Sequence, residues 1–372
     1  MSKLVAIIGG NLQGVEAVYL AKNAGWQVLV IDKNPKAGAS LMCDRFLPLT
    51  IIPDSDPHEI LKNVDLIIPA LENDSVLAIL QKWSLETAIS LAFDMDAYAI
   101  SSSKKKSDRI FSKIGIDAPR PWSECGFPIV VKPDGGSGSS GVKIIHDEKE
   151  LASNDLNQMV AQEYLPGLSY SIEVIGVPGN YVPLQVTELQ MDSGYDCKRV
   201  LAPSGLDPML VNEFEQMAID IAERIGLKGL MDVEVILHDG TLKVLEIDAR
   251  LPSQTPTAVF QSTGINMVGL LGELFLTGEM NVEKCSEPQT VIYEHIKVVN
   301  NHIEVMGEHI VSGVGPLKLH QELFGADEVI TNYHPGMAEW VATLIFKGEN
   351  AEEVLDKKQR TYQNIRGIGT SN

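Results

Sequence analysis

Over the first 95 residues, short apolar runs alternate with segments whose apolar positions recur at helical spacing. Lys3–Ile8, Gln27–Ile31 and Val64–Pro69 read as buried strands, and Leu12–Ala24 and Asp74–Trp83 as helices. Short strands separated by helices of this length predict βαβ units and a parallel sheet. The pattern changes after Asp94. An interrupted helical stretch carrying Lys104-Lys105-Lys106 runs to Gly115, and strands follow over Phe127–Lys132, Val142–His146 and Met159–Tyr164, with a helix at Asp147–Leu156. Ser169–Gly176 and Tyr181–Met191 add antiparallel-type strands, and Asp207–Ile225 is a long amphipathic helix. Leu230–Leu237 and Leu242–Ile247 flank His238-Asp239-Gly240-Thr241, where Asp-Gly between apolar runs is a strong hairpin signal. A helix from about Pro256 to Leu276 and a mixed tail complete the chain, with no internal repeat. The pattern predicts an α/β front followed by an α+β body.

At about 150 residues per domain, 372 residues correspond to two or three domains. A mean hydropathy of +0.03 leaves enough apolar surface for a real core and excludes a disordered chain. The 30 Lys and Arg residues stand against 50 Asp and Glu, a formal charge of −20. A surface this acidic repels nucleic-acid backbones and anionic lipid, so neither is expected as a main partner. An anionic ligand would need a local cluster of cations or backbone N–H groups. Cys43, Cys125, Cys197 and Cys285 are widely spread without a CxxC pair, which predicts neither a disulfide framework nor a zinc knuckle and fits the cytoplasm. The opening Met1–Ile8, broken by Gly9-Gly10, is too short for a signal peptide, and no apolar run approaches a membrane span.

Three segments carry candidate chemistry. Gly9-Gly10-Asn11-Leu12-Gln13-Gly14 lies between strand and helix, and Asp32 ends the next strand, as in a Rossmann-type dinucleotide fingerprint. Asn11 stands where that fingerprint needs glycine, so the turn reads better as a ligand-facing loop at a helix N-terminus. Pro128–Pro133 delivers Lys132 into Asp134-Gly-Gly-Ser-Gly-Ser-Ser-Gly141, a loop whose glycines admit phosphate oxygens to backbone N–H groups and whose Ser137, Ser139 and Ser140 add donors. The alternative is a flexible hairpin loop beside a surface lysine. In the hairpin, Asp232 and Glu234 lie two apart and share a face, as do Glu246, Asp248 and Arg250. Hard oxygen ligands grouped this way suit Mg²⁺ holding nucleotide phosphates, and a nearby Arg suits a phosphoryl group or carboxylate. Gln162-Glu163-Tyr164-Leu165 ends a strand before a turn, a place for adenine to meet backbone edges.

Taken in order, Lys104, Lys132 with its Gly/Ser loop, Gln162–Leu165, Glu234 and the Glu246–Arg250 run resemble the ATP-grasp ligases over roughly residues 1–300. Leu12-Gln13-Gly14, Val30–Pro35, Tyr195-Asp196-Cys197, Gly229–Glu234 and Glu246–Pro256 look like the amino-acid-ligase branch of that family that serves pyrrolysine biosynthesis. The resemblance implies a Rossmann-like domain over 1–95, an ATP-grasp lid and central region over 96–165, and a C-terminal lobe with metal and substrate sites over 166–372. It implies ATP and Mg²⁺ as cofactors, a possible homodimer, and amide formation between the carboxylate of 3-methyl-D-ornithine or D-ornithine and the ε-amine of L-lysine. By position, Lys104 (or its neighbour Lys105), Lys132 and Ser139 would meet ATP phosphates and Gln162, Glu163, Tyr164 and Leu165 the adenine, with Lys132 and Arg250 catalytic. Glu234, Glu246 and Asp248 would hold the metal. Ser171, Ile172, Glu173, Asp232, Arg250, Ser253 and Thr255 would hold the ornithine-like substrate, and Leu12, Gln13 and Glu72 the lysine. Three alternatives remain: another ATP-grasp carboxylate–amine ligase or carboxylase, a nicotinamide-dependent oxidoreductase resting on Gly9–Gly14 and Asp32, and a non-catalytic nucleotide sensor.

Overall fold

Residues 2–136, 141–153, 156–283 and 285–368 are described by a computed structural model. The chain divides into two units, one made of Met1–Phe93, Lys198–Pro203 and Leu251–Asn372, the other of Asp94–Cys197 and Ser204–Arg250.

The first unit opens on five parallel strands in the order Arg45–Pro48, Gln27–Asp32, Leu4–Ile8, Leu66–Pro69 and Ser90–Leu91. Val5–Ile8 and Val28–Ile31 are wholly buried, the near-continuous apolar run of a parallel sheet covered on both faces. Helix Leu12–Asn23 buries every residue from Gly14 to Ala21, because it also packs against helices Thr255–Thr263 and Met267–Thr277. Gly9, at φ +105°, makes the turn into this helix: a Cβ there would lie 2.4 Å from the Ala70 carbonyl oxygen. Asp32 accepts the Gly10 and Asn34 backbone N–H groups, each at 2.7 Å, one on each carboxylate oxygen. The acid that a dinucleotide fingerprint would direct at a ribose is thus engaged in holding its own turn.

The stretch read as one helix over 256–276 is two. Gly264, at φ +78°, ends the first, and Asn266 caps the second by accepting the Gly269 N–H at 2.9 Å. The tail supplies long antiparallel strands, Thr290–Val299 and Glu339–Gly348, which pair along their whole length. Helix Ala351–Arg366 covers them over a core that includes Ile296, Trp340 and Phe346.

In the second unit the stretch after Asp94 forms two helices, Met95–Ser101 and Lys104–Ile114. Asp94 caps the first through the Asp96 and Ala97 N–H groups, and Ser103 caps the second through that of Lys106. A small antiparallel sheet follows in the order Lys143–Ile145, Ile129–Pro133, Met159–Glu163. The larger sheet of this unit runs Thr241–Asp248, Gly229–His238, Leu168–Val177, Thr187–Met191. Residues 181–191 do not form one strand: Asn180–Pro183 and Thr187–Met191 both pair with Leu168–Val177, at different places along it. One face of the sheet is apolar. Tyr170, Ile172 and Val174 join Met231, Val233 and Val235 against Phe111 and helix Pro208–Ile225, each fully buried aliphatic side chain stabilising the fold by about 1.5–3 kcal/mol. The opposite face carries the polar residues. Among the described residues no single helix is long and apolar enough to cross a membrane.

Candidate active site

Side chains alternate along a strand, so burying Tyr170, Ile172 and Val174 turns Ser171 and Glu173 to the other face. The register then builds a grid: Ser171 lies opposite Glu234 and Glu234 opposite Glu246, while Glu173 lies opposite Asp232 and Asp232 opposite Asp248. Neighbouring strands are about 4.8 Å apart, so these groups are within direct electrostatic reach. Ile172 packs into the core between Ser171 and Glu173, which leaves only its backbone toward this face.

The third strand reaches the grid by a local irregularity. Leu242 and Val244 are core residues, and strict alternation would send Glu246 and Asp248 into the core as well. Instead the register shifts next to Glu234, which pairs with Glu246 while Val235 pairs with Val244, so Leu245 is the extra residue of a β-bulge. Beyond it Ile247 and Ala249 are core and the acids face the site. The carbonyl of Leu245 accepts the Lys132 ammonium at 3.2 Å.

Three cations meet these acids. Lys104 Nζ lies 3.0 Å from Glu246 and donates to the Gly136 carbonyl at 2.9 Å. Its neighbour Lys105 instead lends only its backbone N–H to the Asp134 carboxylate, at 2.8 Å. Asp134 also accepts the Ser103 hydroxyl at 3.1 Å, and its carbonyl accepts the Lys104 N–H at 2.9 Å, fastening the start of the Gly/Ser loop to the helix that carries Lys104. Arg250 pairs with Asp248 at 2.9 Å. Glu173, Asp232, Glu234, Glu246 and Asp248 stand against Lys104, Lys132 and Arg250. These acids outnumber the cations, the kind of imbalance that a divalent cation would reduce.

The acids feel that excess. Burial, then Asp232, Glu246 and Asp248, push the Glu234 carboxyl well above its ordinary range, with Arg250 opposing. Burial lifts Asp232 to about 6, against the hydroxyl of Ser171, which donates to it. Burial lowers the Lys132 ammonium, and the charge of Glu246 opposes that shift. Asp108, four residues after Lys104 on the same helix, is another acid in this field: burial raises it and Lys132 draws it back. Its spacing from Lys104 was the available sequence signal.

At the end of strand Met159–Glu163, Gln162 and Leu165 are buried and the Glu163 N–H goes to the Arg120 carbonyl at 2.8 Å. Arg120 Nη2 and Nε meet the two Glu163 carboxylate oxygens at 2.5 and 3.2 Å, which holds that carboxyl below its usual range. Gly135 and Gly136 belong to the described part of the loop, whereas Ser137, Ser139 and Ser140 lie outside the described residues.

The remaining candidates belong to the first unit. Leu12 and Gln13 begin helix Leu12–Asn23, and Gln13 Nε2 donates to Glu72 at 3.0 Å. Ser253 and Thr255 flank Gln254, and Ser253 donates to Glu308 at 2.7 Å. Neither Glu16 nor Glu308 was singled out from the sequence. For Glu16 the signal was an acid within the apolar run Val15–Ala21.

Two lysines, a grid of acids and an arginine beside it, on a two-sheet α+β unit, are the kinds of group that phosphoryl transfer uses. A model of the ATP-grasp domain matches residues 101–254, and the chain belongs to the ATP-grasp family of ATP-dependent carboxylate–amine ligases. It is 38% identical over 362 residues to the 3-methyl-D-ornithine–L-lysine ligase of Methanosarcina mazei, covering 96% of this chain and 94% of that one. Among solved structures, the L-amino acid ligase of Bacillus licheniformis superposes with a TM-score of 0.69 at 19% identity, over 99% of this chain and 98% of the other. The biotin carboxylase domain of Hydrogenobacter thermophilus 2-oxoglutarate carboxylase, a dimer in complex with MgADP, ADP and bicarbonate, gives 0.73 at 16% identity, over 97% and 89%. At these identities the two structures speak for the fold.

Proposed function

We propose that the chain joins the carboxylate of 3-methyl-D-ornithine to the ε-amine of L-lysine through an acyl phosphate, a step of pyrrolysine biosynthesis. The observation that carries this reading is the surplus of acid: a site activating a simple carboxylate such as bicarbonate has no use for buried Glu173 and Asp232 beside a metal set, whereas a substrate with ammonium groups does. The similarity to the M. mazei ligase over nearly the whole chain supports the same pair.

A carboxylate is a poor electrophile. Transfer of the γ-phosphoryl group of ATP to it gives an acyl phosphate and ADP, and attack by the amine then forms the amide and releases phosphate. Glu234, Glu246 and Asp248 are hard oxygen donors on adjoining strands of one sheet face, the donor type Mg²⁺ takes, and the ion when bound would neutralise charge on phosphate oxygens. Lys104 and Lys132 steady the phosphates, and Gln162–Leu165 border the adenine. Arg250 clamps the reacting carboxylate, while Ser171, Glu173 and Asp232 meet the ornithine ammonium groups. Leu12, Gln13 and Glu72 hold the α-amino and α-carboxyl groups of lysine, leaving the ε-amine free. Exclusion of water from the acyl phosphate would keep it intact until the amine attacks. The enzyme would work in the cytoplasm as a homodimer, with the lid drawn from residues 96–165.

The test is incubation with ATP, Mg²⁺, L-lysine and 3-methyl-D-ornithine, followed by mass spectrometry and phosphate assay. One phosphate per ε-linked dipeptide is expected. Phosphate without dipeptide, or an amide on the lysine α-amine, would overturn the proposal.

A further inference from the structure

Ser253, Gln254 and Thr255 form an unusual turn. Gln254 has φ +71° and ψ −60°, and the Thr255 N–H donates to the Ser253 carbonyl at 2.9 Å. This is a γ-turn of positive φ, rare and strained for a residue with a side chain, and such turns persist only where their surroundings hold them. Two acids of the first unit do so. Glu308 Oε2 accepts both the Ser253 hydroxyl and the Gln254 Nε2, each at 2.7 Å. Glu16, on helix Leu12–Asn23, accepts the Thr257 N–H at 2.6 Å just beyond the turn.

These bonds settle the polarity of the turn. A serine hydroxyl has one proton, and that of Ser253 is committed to Glu308, so toward anything else Ser253 Oγ acts as an acceptor. The Gln254 amide is oriented by the same carboxylate with its nitrogen toward Glu308, leaving Oε1 as a second acceptor. That oxygen is buried in a residue 4% exposed and has no hydrogen-bond partner among the described residues. A buried acceptor left in this state calls for a donor from a ligand.

We propose that Glu308 is a positioning residue that fixes the Ser253–Gln254 turn as a pair of acceptors for a substrate ammonium group, and so sets a preference for an acyl donor bearing a side-chain amine. This rests on the ligase reading above. Steady-state kinetics would compare the diamino donor with an isostere carrying a terminal methyl group in place of the amine, in wild type, Glu308→Gln, Glu308→Asp and Ser253→Ala. Glu308→Gln replaces the charged acceptor shared by both donors with a neutral amide, so the turn is held less firmly. The kcat/KM for the diamino donor is expected to fall about 10- to 100-fold, the scale of one charged hydrogen bond, while the isostere and the KM for ATP change less than about twofold. Glu308→Asp, which keeps the charge, retains part of the preference. Ser253→Ala loses the preference as Glu308→Gln does, and decides the matter if that variant fails to fold. An equal loss for both donors, or an unchanged ratio between them, would mean that Glu308 only maintains the fold, and overturns the assignment. Wild-type inactivity with the diamino pair would overturn the ligase reading itself, and this proposal with it.

Discussion

Substituting Glu16 by Gln should change how stability depends on pH, in a direction and size that follow from its burial. Glu16 is 1% exposed, and burial raises its carboxyl from the usual 4.5 to about 7; the N–H groups of Thr257 and Gln254 oppose the shift and Glu308 adds to it. A raised carboxyl holds its proton more tightly in the folded state. Its contribution to stability is therefore complete below pH 4.5 and lost as pH rises through about 7. At about 1.36 kcal/mol per pH unit the loss amounts to about 3 kcal/mol. Glutamine keeps an acceptor for the Thr257 N–H but cannot ionise, and its extra N–H donors cost about 1–3 kcal/mol at every pH. For a unit of this size each kcal/mol moves Tm by about 2–4 °C. About 2.5 kcal/mol of the loss falls between about pH 5 and pH 8, so the Tm of wild type minus that of Glu16→Gln should fall by about 5–10 °C over that range, measured by thermal unfolding at constant ionic strength. Other titrating groups are common to both proteins and cancel in the difference. A difference that stays constant across the series would refute the reasoning.

Three further outcomes are expected. Glu246→Gln removes one charge at nearly constant volume, so it should abolish ligation and reduce the rise in Tm that Mg²⁺ produces in the wild type; full turnover at saturating Mg²⁺ would remove Glu246 from the metal set. Gly136 has φ +101°, so Gly136→Val strains the loop backbone and should uncouple ATP hydrolysis from amide formation, and wild-type coupling in that variant would make the loop a mere connector. Glu72→Gln should weaken lysine by about 1.5–3 kcal/mol while leaving ATP and the donor unaffected, as read from the KM of each substrate varied in turn.

The three central strands of the parallel front sheet were legible because each carries a run of buried apolar residues, whereas the edge strands Arg45–Pro48 and Ser90–Leu91 are short and partly polar and were not. Glu246 and Asp248 were correctly assigned to one face because period-two spacing holds beyond the bulge, while Arg250, past the end of the strand, meets Asp248 through its side chain. The bulge itself was written in the sequence as a change of phase, from Leu242 and Val244 to Ile247 and Ala249, which alternation alone passes over. The break at Gly264-Ile265-Asn266 was equally visible, yet apolar periodicity on both sides masked the glycine stop and asparagine cap. Glu16 stood out only as an acid within an apolar run and Glu308 not at all, and what either one holds could not have been found this way. Their importance comes from partners 241 and 55 residues distant, and no local pattern encodes a tertiary hydrogen bond.

The distance between Glu16 and Thr257 also has a temporal meaning. At about 5–20 residues per second a ribosome needs roughly 10–50 s to travel from one to the other. Throughout that interval the first parallel strands can pair, but helix Leu12–Asn23 lacks the two helices that later cover it, Thr255–Thr263 and Met267–Thr277. Its apolar flank and its one acid therefore stand open to water in the nascent chain, where the carboxylate is ionised and hydrated. A charge that is unwelcome in the finished protein is then an aid to solubility during synthesis, guarding an exposed hydrophobic surface until the residues that bury it have been made.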